Sequence, residues 1–494
     1  MSKLILALDQ GTTSSRAILF SPSGETVASA SCEFEQIFPH DGWVEHNPGE
    51  IFGSVLRAAR NAMDKVGASA DDIATVGITN QRETVVVWEK DTGNPVCNAI
   101  VWQCRRTAAF CDELKRNGLS DFIRDKTGLL IDSYFSASKL RWILNHVNGA
   151  RESAERGELC FGTIDSWLIW NLTNGKVHAT DPSNASRTML YNIHTLDWDD
   201  DLLQLFEIPR AMMPAVLPSS CRFGFTDKKL FGKEIPISGV AGDQQAALFG
   251  QKCVTPGSVK NTYGTGGFLL MNTGETPIRS ANGLLTSIAW KINGKVNYVL
   301  EGSVFICGAT IGWLRDAAGL LENSAESETL AASVHDTGGV CFVPAFVGLG
   351  APYWDPYARG AILGITRGTE KAHIVRAALE SMALQTADVL DVMRKDAGTV
   401  LTSLRVDGGA AANNLLLQMQ ADILNVPILR PASVETTALG AAALAGLAEG
   451  CFEERGINEK VTVFTPHMTD SERTEKLALW HKAVDRVRNW TKEE

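Results

Sequence analysis

The chain begins with two apolar runs separated by a short polar turn, and this pattern most constrains the fold. Residues 4–8 are apolar, Asp9 follows, and residues 11–15 form a Gly-Thr-Thr-Ser-Ser turn before the second apolar run begins. Two strand-like runs joined by such a turn predict a β-hairpin. Gly11 tolerates backbone angles that other residues avoid. A weaker version of the same pattern recurs at residues 258–271, which predicts two similar halves.

The first turn has the chemistry of a phosphate-binding site. Successive backbone N–H groups in such a turn can form a concave nest for an anion. The hydroxyls of Thr12, Thr13 and Ser14 add donors, and Arg16 adds a positive charge. Asp9 could hold Mg²⁺, which prefers one or two carboxylates together with phosphate oxygens. An ordinary surface hairpin would have the same residues, so this segment alone leaves both interpretations open.

The length and the segment order predict the domain organisation. A chain of 494 residues is too long for one hydrophobic core, so we expect two domains. Strand-like and helix-like segments alternate, which favours an α/β fold. Glycine and proline interrupt the pattern at residues 250–257, so we place the boundary at residue 252 and expect domains at residues 1–252 and 253–494. Apolar residues at helical spacing predict an amphipathic helix around residues 375–393.

Composition excludes several classes of protein. The net charge of -11 argues against nucleic acid as a partner, because a phosphate backbone requires basic patches. No apolar stretch is long enough to cross a bilayer, and no signal-peptide pattern is present, so we expect a cytoplasmic protein without membrane insertion. The P-loop motif and the protein-kinase motifs are absent. A phosphate site must therefore rest on the hairpin turns.

A second group of candidate residues follows strand-like runs. A carboxylate such as Asp243 at the end of a strand can take a proton from a substrate hydroxyl, which is worth roughly 10² to 10⁴ in rate. Asp243 could instead cap the helix that follows it. Arg82 and Glu83 could bind a polyol or could form a solvated surface pair. Trp102 ends another apolar run and suits either the core or the wall of a sugar-sized pocket.

Taken together and in order, these segments resemble the FGGY family of carbohydrate kinases, and within it the members that act on glycerol. The resemblance extends from about residue 3 to about residue 450, and it is carried by Asp9-Gln10-Gly11-Thr12-Thr13-Ser14-Ser15-Arg16, Asn80-Gln81-Arg82-Glu83-Thr84, Val101-Trp102-Gln103, Tyr134-Phe135-Ser136-Ala137, Gly242-Asp243-Gln244-Gln245, Tyr263-Gly264-Thr265-Gly266 and Asp407-Gly408-Gly409-Ala410. It implies an α/β fold of two ribonuclease H-like (actin-like ATPase) domains with the active site in the cleft between them.

The resemblance also implies an activity and a set of site residues. The implied reaction is ATP-dependent phosphorylation of glycerol to sn-glycerol 3-phosphate in glycerol catabolism, by in-line transfer with Asp243 as general base. The implied substrate-binding residues are Arg82, Glu83, Trp102, Tyr134, Asp243, Gln244 and Phe268. The implied ATP-binding residues are Thr12, Thr13, Ser14, Arg16, Thr265, Gly308, Gly409 and Asn413. Asp9 and Asp243 are the implied Mg²⁺ ligands. The first domain then forms the polyol and phosphate side, and the second the nucleotide side.

Some positions depart from the family pattern. Gly312 stands where related kinases often carry a glutamine near the nucleotide, so we assign no contact to it. Residues 226–233 do not match the loop that binds a sugar bisphosphate effector in some bacterial members, and residues after 450 are only weakly similar. We therefore infer no effector site. The resemblance implies a homo-oligomer, either a dimer or a tetramer.

Two other functions remain open from the sequence. One is an FGGY-family kinase for another polyol or sugar. The other, less favoured, is a non-enzymatic actin-like ATPase module, which would not need Asp243 beside a group of polyol-sized polar residues.

Overall fold

The structure is a computed structural model that describes residues 3–433, 435–452 and 460–492. Its strands are Leu4–Gln10, Ser14–Phe20, Thr26–Glu33, Glu45–His46, Ile73–Asn80, Val86–Glu89, Ala99–Ile100, Leu159–Gly162, Ala179–Thr180, Tyr191–Asn192, Asp197–Trp198, Ala215–Val216, Ser220–Phe225, Pro236–Gly242, Val259–Tyr263, Gly267–Gly274, Leu285–Ile292, Lys295–Val304, Cys341–Val343, Ala361–Leu363, Leu404–Asp407, Ile428–Pro431 and Val461–Phe464.

Helices surround these strands. The α-helices are Pro48–Asp64, Ala108–Arg116, Ser120–Thr127, Ser136–His146, Ala150–Glu155, Ile164–Leu172, Pro182–Ala185, Asp200–Leu205, Lys228–Phe231, Asp243–Gly250, Gly308–Asp316, Glu326–Ala332, Lys371–Ala397, Asn414–Leu424, Thr436–Ala448 and Asp470–Val487. Short 3₁₀-helices are Ala70–Asp72, Arg210–Met212 and Gly409–Ala412. The predicted amphipathic helix is confirmed as Lys371–Ala397, and it ends at Gly398 with a φ of 59°.

The first sheet combines an antiparallel meander with parallel strands. Its six strands lie in the order Ser220–Phe225, Pro236–Gly242, Ile73–Asn80, Leu4–Gln10, Ser14–Phe20 and Thr26–Glu33. The predicted N-terminal hairpin is confirmed, because Leu4–Gln10 pairs antiparallel with Ser14–Phe20 and sets Asp9 opposite Arg16. The backbone N–H of Gly11 closes the turn by donating to the carbonyl of Ser14 at 2.9 Å.

The second sheet repeats this arrangement. Its strands lie in the order Leu285–Ile292, Lys295–Val304, Gly267–Gly274, Val259–Tyr263, Leu404–Asp407, Ile428–Pro431 and Val461–Phe464. Val259–Tyr263 is antiparallel to Gly267–Gly274 and parallel to Leu404–Asp407, as Leu4–Gln10 is antiparallel to one neighbour and parallel to the other. The echo in the sequence therefore reflects a repeated topology.

Two helices join the halves, and we call Asp243–Gly250 and Thr436–Ala448 the exchanged helices. The second exchanged helix lies late in the chain, yet it packs against five strands of the first sheet and against the first exchanged helix. Glycines make this close approach possible. A Cβ at Gly77 would lie 2.2 Å from the carbonyl oxygen of Ala441, and one at Gly239 would lie 2.3 Å from a backbone nitrogen of the same helix. The backbone of the second exchanged helix therefore lies in direct contact with the backbone of strands in the first sheet.

In the part of the chain that the structure describes, no helix is both long and apolar enough to cross a membrane.

Candidate active site

The predicted site residues of the first half of the chain lie where the parallel strands of the first sheet end. Three neighbouring parallel strands end side by side. Gln10 ends the strand on one side and Gly242 ends the strand on the other, and both lie beside Asn80, which ends the strand between them. The turn that starts at Gly11 and the residues that follow the other two strands, including Asp243, therefore meet at one edge. Such an edge of a parallel sheet is the usual place for a ligand. We call the space between it and the matching edge of the second sheet the cleft.

Asp243 is the first residue of its helix, and its side chain is 35% exposed. Arg82 Nε lies 3.2 Å from Asp243 Oδ1, and the backbone N–H of Gln244 donates to the same oxygen at 2.7 Å. The side-chain Nε2 of Gln244 donates to Oδ2 at 3.3 Å. The carboxylate is thus oriented by two hydrogen bonds and one ion pair, while part of its surface stays accessible to a substrate.

Beside Asp243 lies a buried cluster of four charged side chains, Arg82, Glu83, Arg187 and Glu301, which we call the charged ring. Arg82 donates from Nη1 and Nη2 to the two carboxylate oxygens of Glu301, at 2.7 and 3.1 Å. Arg187 donates from Nη2 to Glu301 at 3.1 Å and from Nε to Glu83 at 2.6 Å. Each of the four side chains is at most 2% exposed. Glu301 belongs to the second sheet, so the ring connects the two halves.

The ring alternates in charge, and its pKa values reflect this. Burial opposes ionisation of Glu301, but the charges of Arg187 and Arg82 outweigh it and lower the pKa of Glu301 to about 2. Burial raises the pKa of Glu83, although Arg187 and Arg82 oppose the shift. The arginines therefore fully offset the burial of Glu301 and offset that of Glu83 only in part.

Aromatic side chains line the same edge. The rings of Trp102 and Tyr134 contact edge to face with centroids 5.6 Å apart, and the guanidinium of Arg187 lies 5.4 Å from the Tyr134 ring. The indole N–H of Trp102 donates to Thr12 Oγ1 at 3.0 Å, which links this wall to the first turn. Phe268, half-buried, belongs to the second sheet. Burial also raises the pKa of Tyr134, so its hydroxyl stays protonated.

The first turn exposes its hydroxyl side chains to different degrees. Thr13 is exposed, while Thr12 and Ser14 are half-buried. Gln36 donates from Nε2 to the carbonyl oxygen of Thr12 at 3.1 Å, and this hydrogen bond stabilises the turn. Arg16 donates to Glu435 at 2.6 Å, at the start of the second exchanged helix, so this predicted phosphate ligand is paired with a carboxylate.

The second turn is coupled to a helix N-terminus. The backbone N–H groups of Cys307 and Ala309 donate to the carbonyl of Thr265 at 2.8 and 3.1 Å, and Gly308 N–H donates to the carbonyl of Gly264 at 3.0 Å. The structure therefore brings Thr265 and Gly308 together, and it pairs the first N–H groups of this helix with the carbonyls of the turn. A Cβ at Gly308 would lie 2.6 Å from the Gly264 carbonyl oxygen, so the approach depends on glycine.

The two predicted nucleoside residues lie in one loop. Gly409 is exposed, and space around its Cα is open. Gly408 has a φ of 86°, and a Cβ there would lie 2.4 Å from the carbonyl oxygen of Tyr263, so a larger residue does not fit. Asn413 caps the helix Asn414–Leu424 by accepting from the Leu416 N–H at 2.9 Å. Its side chain thus already has a structural partner.

Asp9 and Asp243 match part of the ligand set of Mg²⁺. Burial raises the pKa of Asp9 to about 7; Arg16 opposes this shift, while the charges of Asp243 and Glu435 add to it. Over the ranges 3–433, 435–452 and 460–492, no cluster of three or more His, Cys, Asp or Glu side chains could hold an ion. Two carboxylates beside a phosphate turn fit an ion that completes its shell with phosphate oxygens and water.

Sequence reasoning missed three residues of this site: Arg187, Lys260 and Glu301. Lys260 is fully buried, and its Nζ donates to the side-chain oxygen of Gln244 and, at 2.8 Å, to Thr262 Oγ1. Burial lowers the pKa of Lys260 to about 8. The sequence contains one signal for Glu301, because this charged residue directly follows the apolar run Tyr298-Val299-Leu300. Arg187 lies in no such pattern.

Comparisons with known proteins show which family this chain belongs to. The family model described as the N-terminal domain of the FGGY family of carbohydrate kinases matches residues 4–250, and that for the C-terminal domain matches residues 259–449. The chain is 60% identical over 494 residues to glycerol kinase 2 of Thermotoga maritima, which covers 99% of this chain and 100% of that protein. It is 60% identical over 498 residues to glycerol kinase 1 of Clostridium tetani, with 100% of both covered.

A solved structure is similar over nearly the whole chain. The crystal structure of Plasmodium falciparum glycerol kinase with ADP superposes with a TM-score of 0.93 at 36% identity, and 98% of each chain is covered. The two family models between them span the first sheet, all of the second sheet except its last strand Val461–Phe464, and the edge residues described above. The chain therefore belongs to the FGGY family of carbohydrate kinases.

Proposed function

We propose that this chain transfers the γ-phosphoryl group of ATP to a terminal hydroxyl of glycerol and so forms sn-glycerol 3-phosphate. The observation that carries the proposal is the oriented, one-third exposed carboxylate of Asp243, at the sheet edge where the first turn begins. Full-length relatives at 60% identity that are named glycerol kinase support the same acceptor.

In this mechanism Asp243 is the general base. Its Oδ1 is occupied by Arg82 and the Gln244 backbone, and the glycerol hydroxyl would donate to the accessible part of the carboxylate. Proton transfer to a positioned carboxylate is worth roughly 10² to 10⁴ in rate. Phosphoryl transfer otherwise depends on alignment and charge stabilisation, which two opposed turns can supply.

The acceptor would lie beside the charged ring. Arg82, Glu83, Tyr134 and Gln244 would hydrogen-bond the hydroxyl groups of glycerol, and Trp102 with Phe268 would cover its carbon chain. A triol with three carbons needs few partners, and the pair of aromatic side chains restricts longer acceptors. Because closure of the two halves on this pocket would exclude water, the competing phosphoryl acceptor would be kept out.

ATP would be held from both sides of the cleft. The first turn would bind phosphates through Thr12, Thr13, Ser14 and Arg16, and the second half would bind them through Thr265 and Gly308. Gly409 and Asn413 would border the nucleoside. Asp9 and Asp243 would hold Mg²⁺, which neutralises phosphate charge when it is bound.

We further propose the division into domains at residues 1–252 and 253–494, with the acceptor and one phosphate turn in the first and most nucleotide contacts in the second. The protein would act as a homo-oligomer, either a dimer or a tetramer. Analytical ultracentrifugation of the purified chain measures this directly, and a monomer at all concentrations would exclude it.

Asp243→Asn tests the proposed function. ADP release should depend on glycerol in the parent chain, and the variant should lose roughly 10² to 10⁴ in kcat because the amide does not accept the proton. Asp64→Asn is the matched control, since Asp64 is exposed at the end of the helix Pro48–Asp64, beyond the strands that form the cleft. The substrate panel should include xylulose and gluconate. Full turnover by Asp243→Asn would refute the role of Asp243, and preference for another acceptor would refute glycerol as the substrate.

A further inference from the structure

Two charged side chains of the second sheet reach residues that hold Asp243, although Asp243 belongs to the other half of the chain. Glu301 lies on the strand Lys295–Val304, and Lys260 lies on Val259–Tyr263. Both are fully buried. Neither contacts Asp243 directly, so each would act through an intermediate side chain.

Glu301 acts through Arg82. Its two carboxylate oxygens accept from Nη1 and Nη2 of Arg82 at 2.7 and 3.1 Å, which fixes the plane of the guanidinium. With the guanidinium held in this way, its Nε lies 3.2 Å from Asp243 Oδ1 and forms an ion pair with that carboxylate. Gln245 accepts a further bond from Nη1 at 3.2 Å, so the guanidinium has little freedom to rotate.

Lys260 acts through Gln244. A lysine ammonium can only donate, so the side-chain oxygen of Gln244 must face Nζ of Lys260. The amide nitrogen of Gln244 is then directed to Asp243 Oδ2, to which it donates at 3.3 Å. Lys260 and the carboxylate thus favour the same orientation of this amide, because a rotated amide would place its oxygen against the carboxylate and its NH₂ group against the ammonium.

We propose that Glu301 and Lys260 are positioning residues, which fix the two oxygens of Asp243 from the second sheet through Arg82 and Gln244. The proposal rests on the proposed function, in which Asp243 is the base. It follows that the acceptor site is complete only while the two sheets are docked, since one half supplies the base and the other half orients it.

A purely structural role makes a different prediction. Loss of an ion pair that only stabilises the fold would lower the melting temperature and leave the catalytic constants of the folded enzyme intact. Loss of a positioning contact should act on glycerol turnover and spare the nucleotide. A misplacement of a catalytic group by about 1 Å can cost about 10²-fold in rate.

The test uses Glu301→Gln and Lys260→Met, with Glu275→Gln and Lys295→Met as matched controls. The control residues form an exposed ion pair at 3.4 Å on the same sheet, with side chains 62% and 73% exposed, and Lys295 begins the strand that carries Glu301. Each control thus makes the same chemical change in water. For every chain, kcat, the KM for glycerol, the KM for ATP, the ADP dissociation constant by calorimetry and the melting temperature are measured.

For Glu301→Gln we expect kcat/KM for glycerol to fall about 10²-fold, and for Lys260→Met we expect a fall of at least tenfold. The ADP dissociation constant should stay within threefold in both, and the controls should match the parent. The parent chain is assayed first: if it uses another acceptor, the proposed function fails, and the variants are tested with that acceptor. Folded variants with unchanged kcat and glycerol KM would overturn the positioning roles. An equal loss of ADP binding, or failure of both variants to fold, would also overturn the positioning roles. If only one variant fails to fold, the kinetics of the other variant decide the question.

Discussion

Gly440 is the position where one added methyl group should disturb both stability and catalysis. A Cβ there would lie 1.9 Å from the carbonyl oxygen of Ala246 on the other exchanged helix. The contact is reciprocal, because a Cβ at Gly250 would lie 2.0 Å from the carbonyl oxygen of Thr436. Both clashes involve backbone, which cannot rotate away as a side chain would.

The geometry gives the size of the effect of Gly440→Ala. Real Cβ atoms do not approach neighbours closer than 3.0 Å, so the helices must separate by at least the difference from 1.9 Å, which is 1.1 Å. Overpacking of this kind costs up to about 3 kcal/mol. Alanine recovers about 1 kcal/mol of helix propensity. The net loss of about 2 kcal/mol lowers the melting temperature by roughly 4 to 8 °C for a domain of this size.

The same movement should reach the active site. Ala246 lies one turn from Asp243 on the same helix, so a shift of the helix displaces the proposed base. We expect kcat with glycerol to fall about 10²-fold. Gly53→Ala is the matched control, since a Cβ there meets only the flexible end of Arg57 at 3.2 Å. It should stabilise the protein by about 0.5 kcal/mol and leave turnover unchanged.

Calorimetry and the coupled ADP assay on the two variants measure both effects. If Gly440→Ala melts and turns over like the parent, the exchanged helices can slide without cost, and the inference that their backbones are in obligatory contact is refuted.

Two further predictions concern buried polar groups. Burial raises the pKa of Asp165 from its ordinary 3.8 to about 7, although hydroxyl donors from Thr163 and Thr180 oppose the shift. The folded state then holds an extra proton between pH 4 and 7, so stability should fall as pH rises through this window, and Asp165→Asn should show a shallower slope in melting temperature, with the contribution of Asp9 remaining. A parallel slope in both proteins would contradict the assignment. Trp102→Phe removes the hydrogen bond to Thr12. We expect kcat/KM to fall about fivefold for both ATP and glycerol, since one hydrogen bond is worth about 1 kcal/mol. A fall for glycerol alone would argue against a functional connection between Trp102 and the first turn.

The sequence predicted features that depend on neighbours in the chain. The N-terminal hairpin is local, since apolar runs and a glycine-containing turn specify it within twenty residues, and Asp9 lies opposite Arg16 as a result. The helix Lys371–Ala397 is similar, because its periodicity and Gly398 mark its face and its end. The fold class followed from the resemblance, and the repeated sheet topology confirms it.

The charged ring was not predictable in the same way. Arg82 and Glu301 are 219 residues apart, and Arg187 and Glu301 are 114 apart, so nothing in the local pattern links them. Arg82 beside Glu83 in the sequence suggested a pair, yet their closest approach is 3.8 Å and each has a better partner elsewhere. Adjacent charges on a chain often point to different neighbours, and only the tertiary fold decides which.

The second exchanged helix shows a further limit. Residues 438–447 looked like a short apolar segment, and periodicity did not indicate a face, because the helix is buried on nearly all sides. Its partners are the glycines of strands in the other half of the chain, where Gly77 and Gly239 leave room for backbone. A glycine inside a strand signals close approach, but it does not say of what.

The charge of the acceptor follows from the ring as a whole. An arginine in a substrate pocket ordinarily suggests an anionic substrate, and Arg82 taken alone would favour a sugar acid. In the ring, however, the charges of Arg82 and Arg187 are balanced by Glu83 and Glu301, each within 2.7 Å of a guanidinium nitrogen. The carboxylate of Asp243 is matched in turn by the buried ammonium of Lys260, which reaches it through Gln244. The site therefore has no excess positive charge to bind a carboxylate, whereas neutral hydroxyls can donate to Asp243 and accept from Arg82, so the electrostatics favour a neutral polyol.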